Sequence, residues 1–218
     1  MAASAARRSY IGRVKSAVIV PVKDFTAAKQ RLTPVLSPDH RIRLARWMAE
    51  RVLAAVAGAA IYVACDDPEV RRWAEERGAF VVWGVGLGLN GAVDDAVSRV
   101  TADGHDHVTV SHADLPFPEG LSSIAVERTI TLVPDRRGDG TNVMSFPTAN
   151  PLAAEYGPGS FSRHLAAATA SGFRVEVRRD AHLSLDVDTP RDLTHPMTTE
   201  VLPTWLPTTP ANRFIHER

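Results

Sequence analysis

The sequence Val108-Thr-Val-Ser-His-Ala-Asp-Leu-Pro116 ends an apolar strand pattern with an acid, Asp114, and then turns at Leu-Pro. A second acidic pair, Asp186 and Asp188, closes a similar pattern in Leu183-Ser-Leu-Asp-Val-Asp-Thr-Pro190. In open α/β sheets, ligands gather outside the carboxyl ends of the strands, so acids at two strand ends can meet at one divalent cation. The pattern therefore predicts a Mg²⁺ site and a phosphorylated substrate.

Apolar strand patterns alternate with helical patterns along the chain. This alternation predicts a single-domain α/β fold with a mixed, mostly parallel sheet and helices on both faces. Strands are predicted at residues 14–22, 61–65, 79–83, 107–111, 129–133, 142–146, 174–177 and 183–185. Helices are predicted from Pro38 onward and at residues 68–77, 92–101, 119–128 and 161–169, and the four arginines between residues 41 and 51 are assigned to a solvated helix face.

Length and charge restrict the class of protein. The 218 residues suit one domain, predicted at 14–195, between a disordered basic tail at 1–13 and a Pro-rich C-terminal tail or arm at 196–218. The 25 basic and 25 acidic residues balance, so neither a nucleic-acid nor a membrane partner is expected. A lone cysteine, Cys65, fits a reducing compartment and predicts a cytoplasmic protein. The apolar stretch 201–206 suggests an intermolecular contact and hence a homodimer.

Three cations follow the first strand: Lys23, Lys29 and Arg31. Cations on a loop at a strand's carboxyl end can neutralise a triphosphate and the charge that develops on its α-phosphate. These residues are therefore candidate catalytic groups, together with Asp114. The competing interpretation is an ordinary solvated basic loop.

A glycine-rich segment, residues 84–91, contains a G-x-G-x-x-G pattern at Gly86, Gly88 and Gly91. In a Rossmann unit this pattern binds a dinucleotide and is followed about 20 residues later by an acid, which makes a dehydrogenase one alternative. The pattern usually belongs to the first strand, however, and Asp114 is followed by Leu-Pro. The other interpretation is a backbone cradle for a base, with Asn90 offering its amide to a purine edge.

Two further glycine-containing segments suit a small anionic substrate. The turn Asp135-Arg-Arg-Gly-Asp-Gly-Thr-Asn142 can direct backbone N–H groups at an anion. Tyr156-Gly-Pro-Gly-Ser160 leads into a helix with Ser160 as the expected N-cap, where a phosphate or carboxylate can approach backbone donors. As a plain turn and cap, these segments would need no ligand.

Segments in a fixed order carry a resemblance to one family. They are Pro-Val-Lys…Ala-Lys-Gln-Arg-Leu (21–32), Gly-Leu-Asn (88–90), His-Ala-Asp-Leu-Pro (112–116), Pro-Asp-Arg…Asp-Gly-Thr-Asn (134–142), Tyr-Gly-Pro-Gly-Ser-Phe (156–161) and Leu-Asp-Val-Asp-Thr-Pro-Arg-Asp-Leu (185–193). Together they resemble the guanylyltransferases of coenzyme F-420 biosynthesis, which act on 2-phospho-L-lactate or phosphoenolpyruvate.

The resemblance implies a glycosyltransferase-A-like, Rossmann-like nucleotidyltransferase fold, GTP as donor, Mg²⁺ as cofactor, and a downstream transferase that uses the product. It implies three sets of site residues: Thr141, Gly157 and Ser160 for the phospho-acid, Gly88, Leu89 and Asn90 for the nucleotide, and Asp114 with Asp186 and Asp188 for the metal. 3-Phospho-D-glycerate is a further candidate acceptor. Two alternatives remain open besides the dehydrogenase: a nucleotidyltransferase for another phosphorylated small molecule, and a noncatalytic GTP-sensing module.

Overall fold

The computed structural model describes residues 15–207, so the predicted tail at 1–13 and the last part of the predicted C-terminal tail lie outside the described residues. The strands are β1 (Ser16–Pro21), β2 (Ala60–Cys65), β3 (Phe80–Trp83), β4 (His107–Ser111), β5 (Thr129–Pro134), β6 (Thr141–Pro147) and β7 (Arg174–Val177). The α-helices are α1 (Pro38–Ala55), α2 (Pro68–Glu75), α3 (Gly88–Ala102), α4 (Ser160–Ala170), α5 (Pro190–Leu193) and α6 (Pro196–Val201), and 3-10 helices occur at Gln30–Leu32 and Glu119–Ser123.

The strands form one seven-stranded sheet in the order β3-β2-β1-β4-β6-β5-β7. Strands β3, β2, β1 and β4 are parallel, and so are β5 and β7. Strand β6 runs antiparallel to both its neighbours, with Val110 of β4 opposite Met144. The predicted mixed, mostly parallel sheet is therefore confirmed.

Each face of the sheet is covered by helices. On β1, Val18 and Val20 pack with α1 and α2, while Ala17 and Ile19 on the opposite face pack with α3. This alternation follows from the two-residue side-chain period of a strand. A strand with helices over both faces needs apolar residues at consecutive positions, which explains the continuous apolar run of β1.

A third apolar cluster joins the C-terminal segment to the rest of the domain. Leu206 is buried against Leu32, Leu44 and Val187. Residues 196–201, in the predicted C-terminal tail or arm, form α6. Leu206 packs within the chain, and the intermolecular contact predicted for residues 201–206 stays a prediction.

The predicted strand at 183–185 is also wrong, because a local turn takes its place. The carboxylate of Asp180 accepts hydrogen bonds from the backbone N–H groups of His182 and Leu183, at 3.0 and 3.2 Å. Aspartate side chains compete with sheet hydrogen bonds in this way. The acids Asp186 and Asp188 therefore follow a turn and an extended segment.

Two helices differ in extent from their predictions. The helix predicted from residue 92 begins at Gly88, so the glycine-rich segment supplies its first turn. The helix predicted at 119–128 is limited to the short 3-10 helix Glu119–Ser123. None of the helices within residues 15–207 has the length and apolar character needed to cross a lipid bilayer.

We predict that one buried histidine makes the fold sensitive to acid. His107 lies in the sheet with its Nε2 2.9 Å from Ser145 Oγ, and burial lowers its pKa from 6.5 to about 4. The unfolded chain therefore binds the proton more readily, so this contribution to stability is present above pH 6.5 and is lost as the pH falls towards 4. Between pH 7.5 and pH 5, wild type should lose about 2 kcal/mol more unfolding free energy than His107→Gln.

Urea denaturation at the two pH values measures this difference. The exposed His182→Gln is the matched control and should behave as wild type. An equal pH dependence in wild type and His107→Gln would contradict the assignment.

Candidate active site

The candidate site lies at the topological switch point of the sheet. Strands β1 and β4 are neighbours, and the chain continues from β1 towards β2 on one side and from β4 towards β5 on the other. The loops that follow them separate and leave a crevice at the strands' carboxyl ends. A cavity of about 520 Å³ occupies this crevice, and its lining includes Lys23, Lys29, Gly88, Leu89, His112 and Asp114.

Ion pairs connect the loop after β1 to the predicted metal-binding acids. Lys29 Nζ lies 2.6 Å from Asp114 Oδ2 and 3.6 Å from Asp188 Oδ1. Arg31 Nη1 lies 2.8 Å from Asp188 Oδ2. The Lys29 side chain is only 8% exposed, whereas that of Arg31 is 71% exposed. Two of the predicted cations and two of the predicted acids therefore form one cluster, and Lys23 is exposed at the cavity wall.

The backbone at Lys29 is held in an unusual conformation. Its φ of 57° and ψ of 39° lie in the left-handed region, which is uncommon for a residue with a side chain. Arg41 Nη1 donates to the carbonyl oxygen of Ala28 at 3.1 Å, and Leu32 is fully buried on the other side of Lys29. These contacts fix the turn that directs the ammonium group at Asp114. Arg41 is buried, so its assignment to a solvated helix face was wrong.

The acids of the cluster differ in their electrostatic state. Burial alone would raise the pKa of Asp114, but the positive charge of Lys29 holds that pKa below its ordinary value. For Asp186, burial and the negative charge of Asp114 together raise the pKa to about 6. Burial alone would lower the pKa of Lys29, but Asp114 and the neighbouring carboxylates raise it. Asp114 is thus stabilised as a carboxylate, whereas the charge of Lys29 only partly offsets the effects of burial and of Asp114 on the pKa of Asp186.

The cluster has the chemistry of a site for a hard cation. Asp114 Oδ1 is buried and accepts no hydrogen bond within the described residues. Asp186 would be relieved of repulsion by a positive charge near Asp114, and carboxylate oxygens are preferred ligands of Mg²⁺. Within residues 15–207, no three His, Cys, Asp or Glu side chains are already arranged around a metal position. The ammonium of Lys29 lies between Asp114 and Asp188 instead, so a metal ion bound there would have to displace it.

The residues predicted to hold a phospho-acid lie around the start of α4. Thr141 Oγ1 is 3.0 Å from His164 Nδ1, and His164 Nε2 accepts a hydrogen bond from the backbone N–H of Glu155 at 3.0 Å. Ser160 is buried as the first residue of α4, and Gly159, with φ 72°, is the N-cap. The prediction of Ser160 as N-cap is therefore wrong. Gly157 has φ 128°, a conformation that glycine adopts without strain.

In the turn at 135–140, the side chain of Asp135 binds the backbone N–H groups. The carboxylate of Asp135 accepts hydrogen bonds from the backbone N–H groups of Arg137, Asp139 and Gly140, at 2.9–3.0 Å. These are the donors that the sequence pattern suggested for a bound anion. An aspartate at the first position of a turn satisfies them locally, so the predicted anion cradle is wrong for this segment.

Asn90 has a different partner from the purine edge that was predicted. Its Oδ1 accepts from the backbone N–H of Tyr156 at 2.8 Å, and its Nδ2 donates to the carbonyl oxygen of the same residue at 3.3 Å. One N–H group and one lone pair of the amide therefore bind protein backbone, and a nucleotide role for Asn90 stays a prediction. Gly88 and Leu89 line the large cavity, where a nucleotide role for them stays a prediction.

His112 is a site residue that the sequence analysis did not single out. It follows β4 directly, lines the cavity, and packs its ring against Tyr156 with centroids 5.0 Å apart. Burial and the charge of Lys29 lower the pKa of His112, although Asp114 opposes this. Its position two residues before Asp114 was the available signal, but scattered histidines without ligand spacing gave no reason to choose it.

Comparisons with known proteins find relatives that match most of the chain. A family model described as "Guanylyl transferase CofC like" matches residues 16–199. A phosphoenolpyruvate guanylyltransferase of Sphaerobacter thermophilus is 35% identical over 188 residues, which cover 80% of this chain and 89% of the relative. A 2-phospho-L-lactate guanylyltransferase of Methanothermobacter thermautotrophicus is 32% identical over 188 residues and covers 83% of each chain.

Solved structures share the fold. A putative nucleotide-diphospho-sugar transferase from Desulfovibrio desulfuricans superposes with a TM-score of 0.70 at 20% identity, over 83% of this chain and 85% of that one. A nucleotidyl transferase from Methanothermobacter thermautotrophicus gives 0.56 at 12% identity, over 82% and 94%. At these identities the likeness concerns the fold alone, and it confirms the predicted nucleotidyltransferase fold.

We predict that Asn90→Ala loosens the segment around Tyr156. The variant removes both hydrogen bonds to the Tyr156 backbone, and each is worth about 1 kcal/mol. Amide hydrogen exchange in a peptide covering residues 153–160 should accelerate about 10-fold or more, because this segment would open more often. Asn150→Ala, which removes an exposed bond to the Ser171 carbonyl oxygen, is the control. Unchanged exchange around Tyr156 would show that the two hydrogen bonds from Asn90 do not hold this segment.

Proposed function

The chain belongs to the CofC-like guanylyl transferase family, and on this premise we propose that it transfers GMP from GTP to the phosphate of a three-carbon phospho-acid. The named relatives act on phosphoenolpyruvate or on 2-phospho-L-lactate, and both acids are candidate acceptors here. 3-Phospho-D-glycerate is the third. The family supports a role in coenzyme F-420 biosynthesis, where a downstream transferase would consume the product.

One observation carries the proposal: a cationic loop and a group of acids meet at the edge of a cavity of nucleotide size. A volume of about 520 Å³ lies within the usual range for a small-molecule site. The cavity is lined by backbone of the glycine-rich segment at Gly84 and Gly88, so a purine can approach closely there.

The cations have separate tasks in the proposed complex. Lys23 and Arg31 are both exposed and would follow the triphosphate as it enters, Arg31 by leaving its ion pair with Asp188. Lys29 is buried beside Asp114 and would stabilise the charge that develops on the α-phosphate. A metal ion bound to Asp114 and Asp188 would displace the Lys29 ammonium from these acids and leave it available to the phosphate.

Asp114, Asp186 and Asp188 are the residues that would hold Mg²⁺. When bound, the ion would neutralise phosphate charge and bring the two substrates to one place. The unpartnered Oδ1 of Asp114 and the raised pKa of Asp186 support this assignment, since both are compensated by a cation.

The transfer itself needs no general base from the chain. A phosphate oxygen of the acceptor is already anionic, and it forms the new bond to the α-phosphorus of GTP. The bond from that phosphorus to the bridging oxygen breaks, and pyrophosphate leaves with the electron pair. The protein must therefore supply alignment and charge neutralisation. Thr141, Gly157 and Ser160 remain the proposed acceptor-binding residues. Gly88, Leu89 and Asn90 remain proposed for GTP.

The predicted cytoplasmic location stays part of the proposal. Cys65 is buried in the described structure and burial raises its pKa to about 11, so it behaves as an inert thiol. A free buried thiol is compatible with a reducing compartment.

The test of the function is pyrophosphate release with GTP and Mg²⁺ in separate reactions with phosphoenolpyruvate, 2-phospho-L-lactate and 3-phospho-D-glycerate. We expect release with GTP and one of these acids, and much less with CTP or ATP. A downstream transferase should be present to trap an unstable product. Tight GTP binding without release in any reaction would contradict the proposal and favour a sensor.

We predict that Asp114→Asn lowers turnover far more than it lowers stability, because Lys29 keeps Asp188 as an ion-pair partner at 3.6 Å. The amide is isosteric but cannot neutralise a cation, so kcat should fall by about 100-fold or more. Equilibrium binding of Mn²⁺, followed by its electron paramagnetic resonance signal, should weaken in parallel. Asp39→Asn, on the exposed first turn of α1, is the control and should leave both values unchanged. Near-normal turnover or unchanged Mn²⁺ binding would remove Asp114 from the mechanism.

A further inference from the structure

His112 lies between the acidic cluster at Asp114 and the Tyr156-Gly157 segment, and a hydrogen bond fixes its backbone there. Its backbone N–H donates to the carbonyl oxygen of Asn142 at 3.0 Å, which ties the residue after β4 to the start of β6. On one side of its ring lies Asp114, and on the other side lies Tyr156, the residue before Gly157. Tyr156 is itself fixed through its backbone by Asn90.

Three polar atoms at this junction lack protein partners. Within residues 15–207, the hydroxyl of Tyr156 is buried without a hydrogen bond, and so are His112 Nε2 and Asp114 Oδ1. His112 Nδ1 is 4.0 Å from Asp114 Oδ1, which is too long for a direct hydrogen bond. Buried polar atoms are nearly always satisfied in native proteins, so an unsatisfied pair beside a cavity marks a place where a bound molecule completes the bonding.

Asp114 Oδ1 and His112 Nε2 need complementary partners. The carboxylate oxygen of Asp114 requires a donor or a cation. A neutral imidazole carries its one proton on either ring nitrogen, and a proton on Nε2, the ring nitrogen without a partner, makes this atom a donor. His112 then presents a hydrogen-bond donor to an anionic oxygen. The side chain of His112 lines the cavity and is 28% exposed, whereas Nε2 itself is covered, so the ring must turn for Nε2 to meet a small molecule.

We propose that His112 donates a hydrogen bond from Nε2 to an anionic oxygen of the phospho-acid acceptor, and so positions it between Asp114 and the Tyr156-Gly157 segment. This assignment rests on the proposed function. Placement favours the acceptor over GTP because His112 is joined to β6, which begins with Thr141, and packs against the segment that leads into α4. GTP is expected against the glycine-rich segment on the β3 side of the crevice.

The test is a steady-state comparison of His112→Phe, His112→Gln and His112→Asn, with GTP and the acid varied separately. Phenylalanine keeps the flat ring and removes the donor, so KM for the acid should rise about 10-fold to 100-fold while KM for GTP changes less than about 3-fold. Glutamine can place its amide N–H near the position of Nε2, so it should restore most of the affinity for the acid. Asparagine is too short to do so and should resemble phenylalanine.

The outcomes separate this inference from the proposed function. If wild type releases no pyrophosphate with any of the acids, the proposed function fails and this assignment fails with it. If wild type is active and all three variants keep its KM for the acid, or if KM for GTP rises instead, only the role of His112 is overturned. Should the phenylalanine variant not fold, the difference between glutamine and asparagine decides, because a merely structural role would not distinguish the two amides by KM for one substrate.

Discussion

The buried carboxylate of Asp114 needs a positive charge beside it, and Lys29 supplies that charge from a loop 85 residues earlier in the chain. Removing one partner of such a pair would leave an uncompensated charge in a poorly solvated place, which is strongly unfavourable. The pair therefore constrains its surroundings. It requires the left-handed backbone at Lys29, the bond from Arg41 that fixes Ala28, and the burial of Leu32 beneath the loop. The positions of the other charged groups follow from this arrangement.

The segment that carries Asp186 and Asp188 is held by hydrogen bonds to Asp192. Asp192 Oδ2 accepts from the backbone N–H groups of Asp188 and Thr189, at 3.2 and 2.7 Å. Its other oxygen accepts from Arg136 at 2.7 Å, which joins this segment to the turn after β5. Local capping thus shapes the acidic segment, and one cross-link places it against the sheet. A hydrogen bond from Val187 N–H to the carbonyl oxygen of Asp114 completes the connection.

Local sequence signals predicted the features that depend on near neighbours. The apolar run of β1, the acid after β4 and the proline at the start of α1 each determine structure over a few residues. The errors concern polar groups with more than one available partner. The carboxylates of Asp135 and Asp180 could accept hydrogen bonds from nearby backbone N–H groups or leave these groups free. The spacing of the residues does not decide between the two states. Asn90 donates to and accepts from Tyr156 across 66 residues, a pairing that appears only in the folded chain. His112 was missed for the related reason that an unsatisfied atom is a property of the three-dimensional surroundings.

The third apolar cluster has a consequence for biosynthesis on the ribosome. It contains Leu32 beside the Lys29 loop, Val187 between the two acids, and Leu206 beyond α6. A nascent chain that has emerged only as far as β6 already possesses β1, β4 and the walls of the cleft, but it has neither Asp186 nor Asp188 nor the apolar residues that cover Leu32. Domains generally fold as units as they leave the ribosome. Here the third apolar cluster is complete only after Leu206 has been synthesised. A product truncated before residue 186 would therefore lack two of the acids beside Lys29 and expose Leu32, and this exposed apolar surface makes it a candidate for quality-control proteolysis.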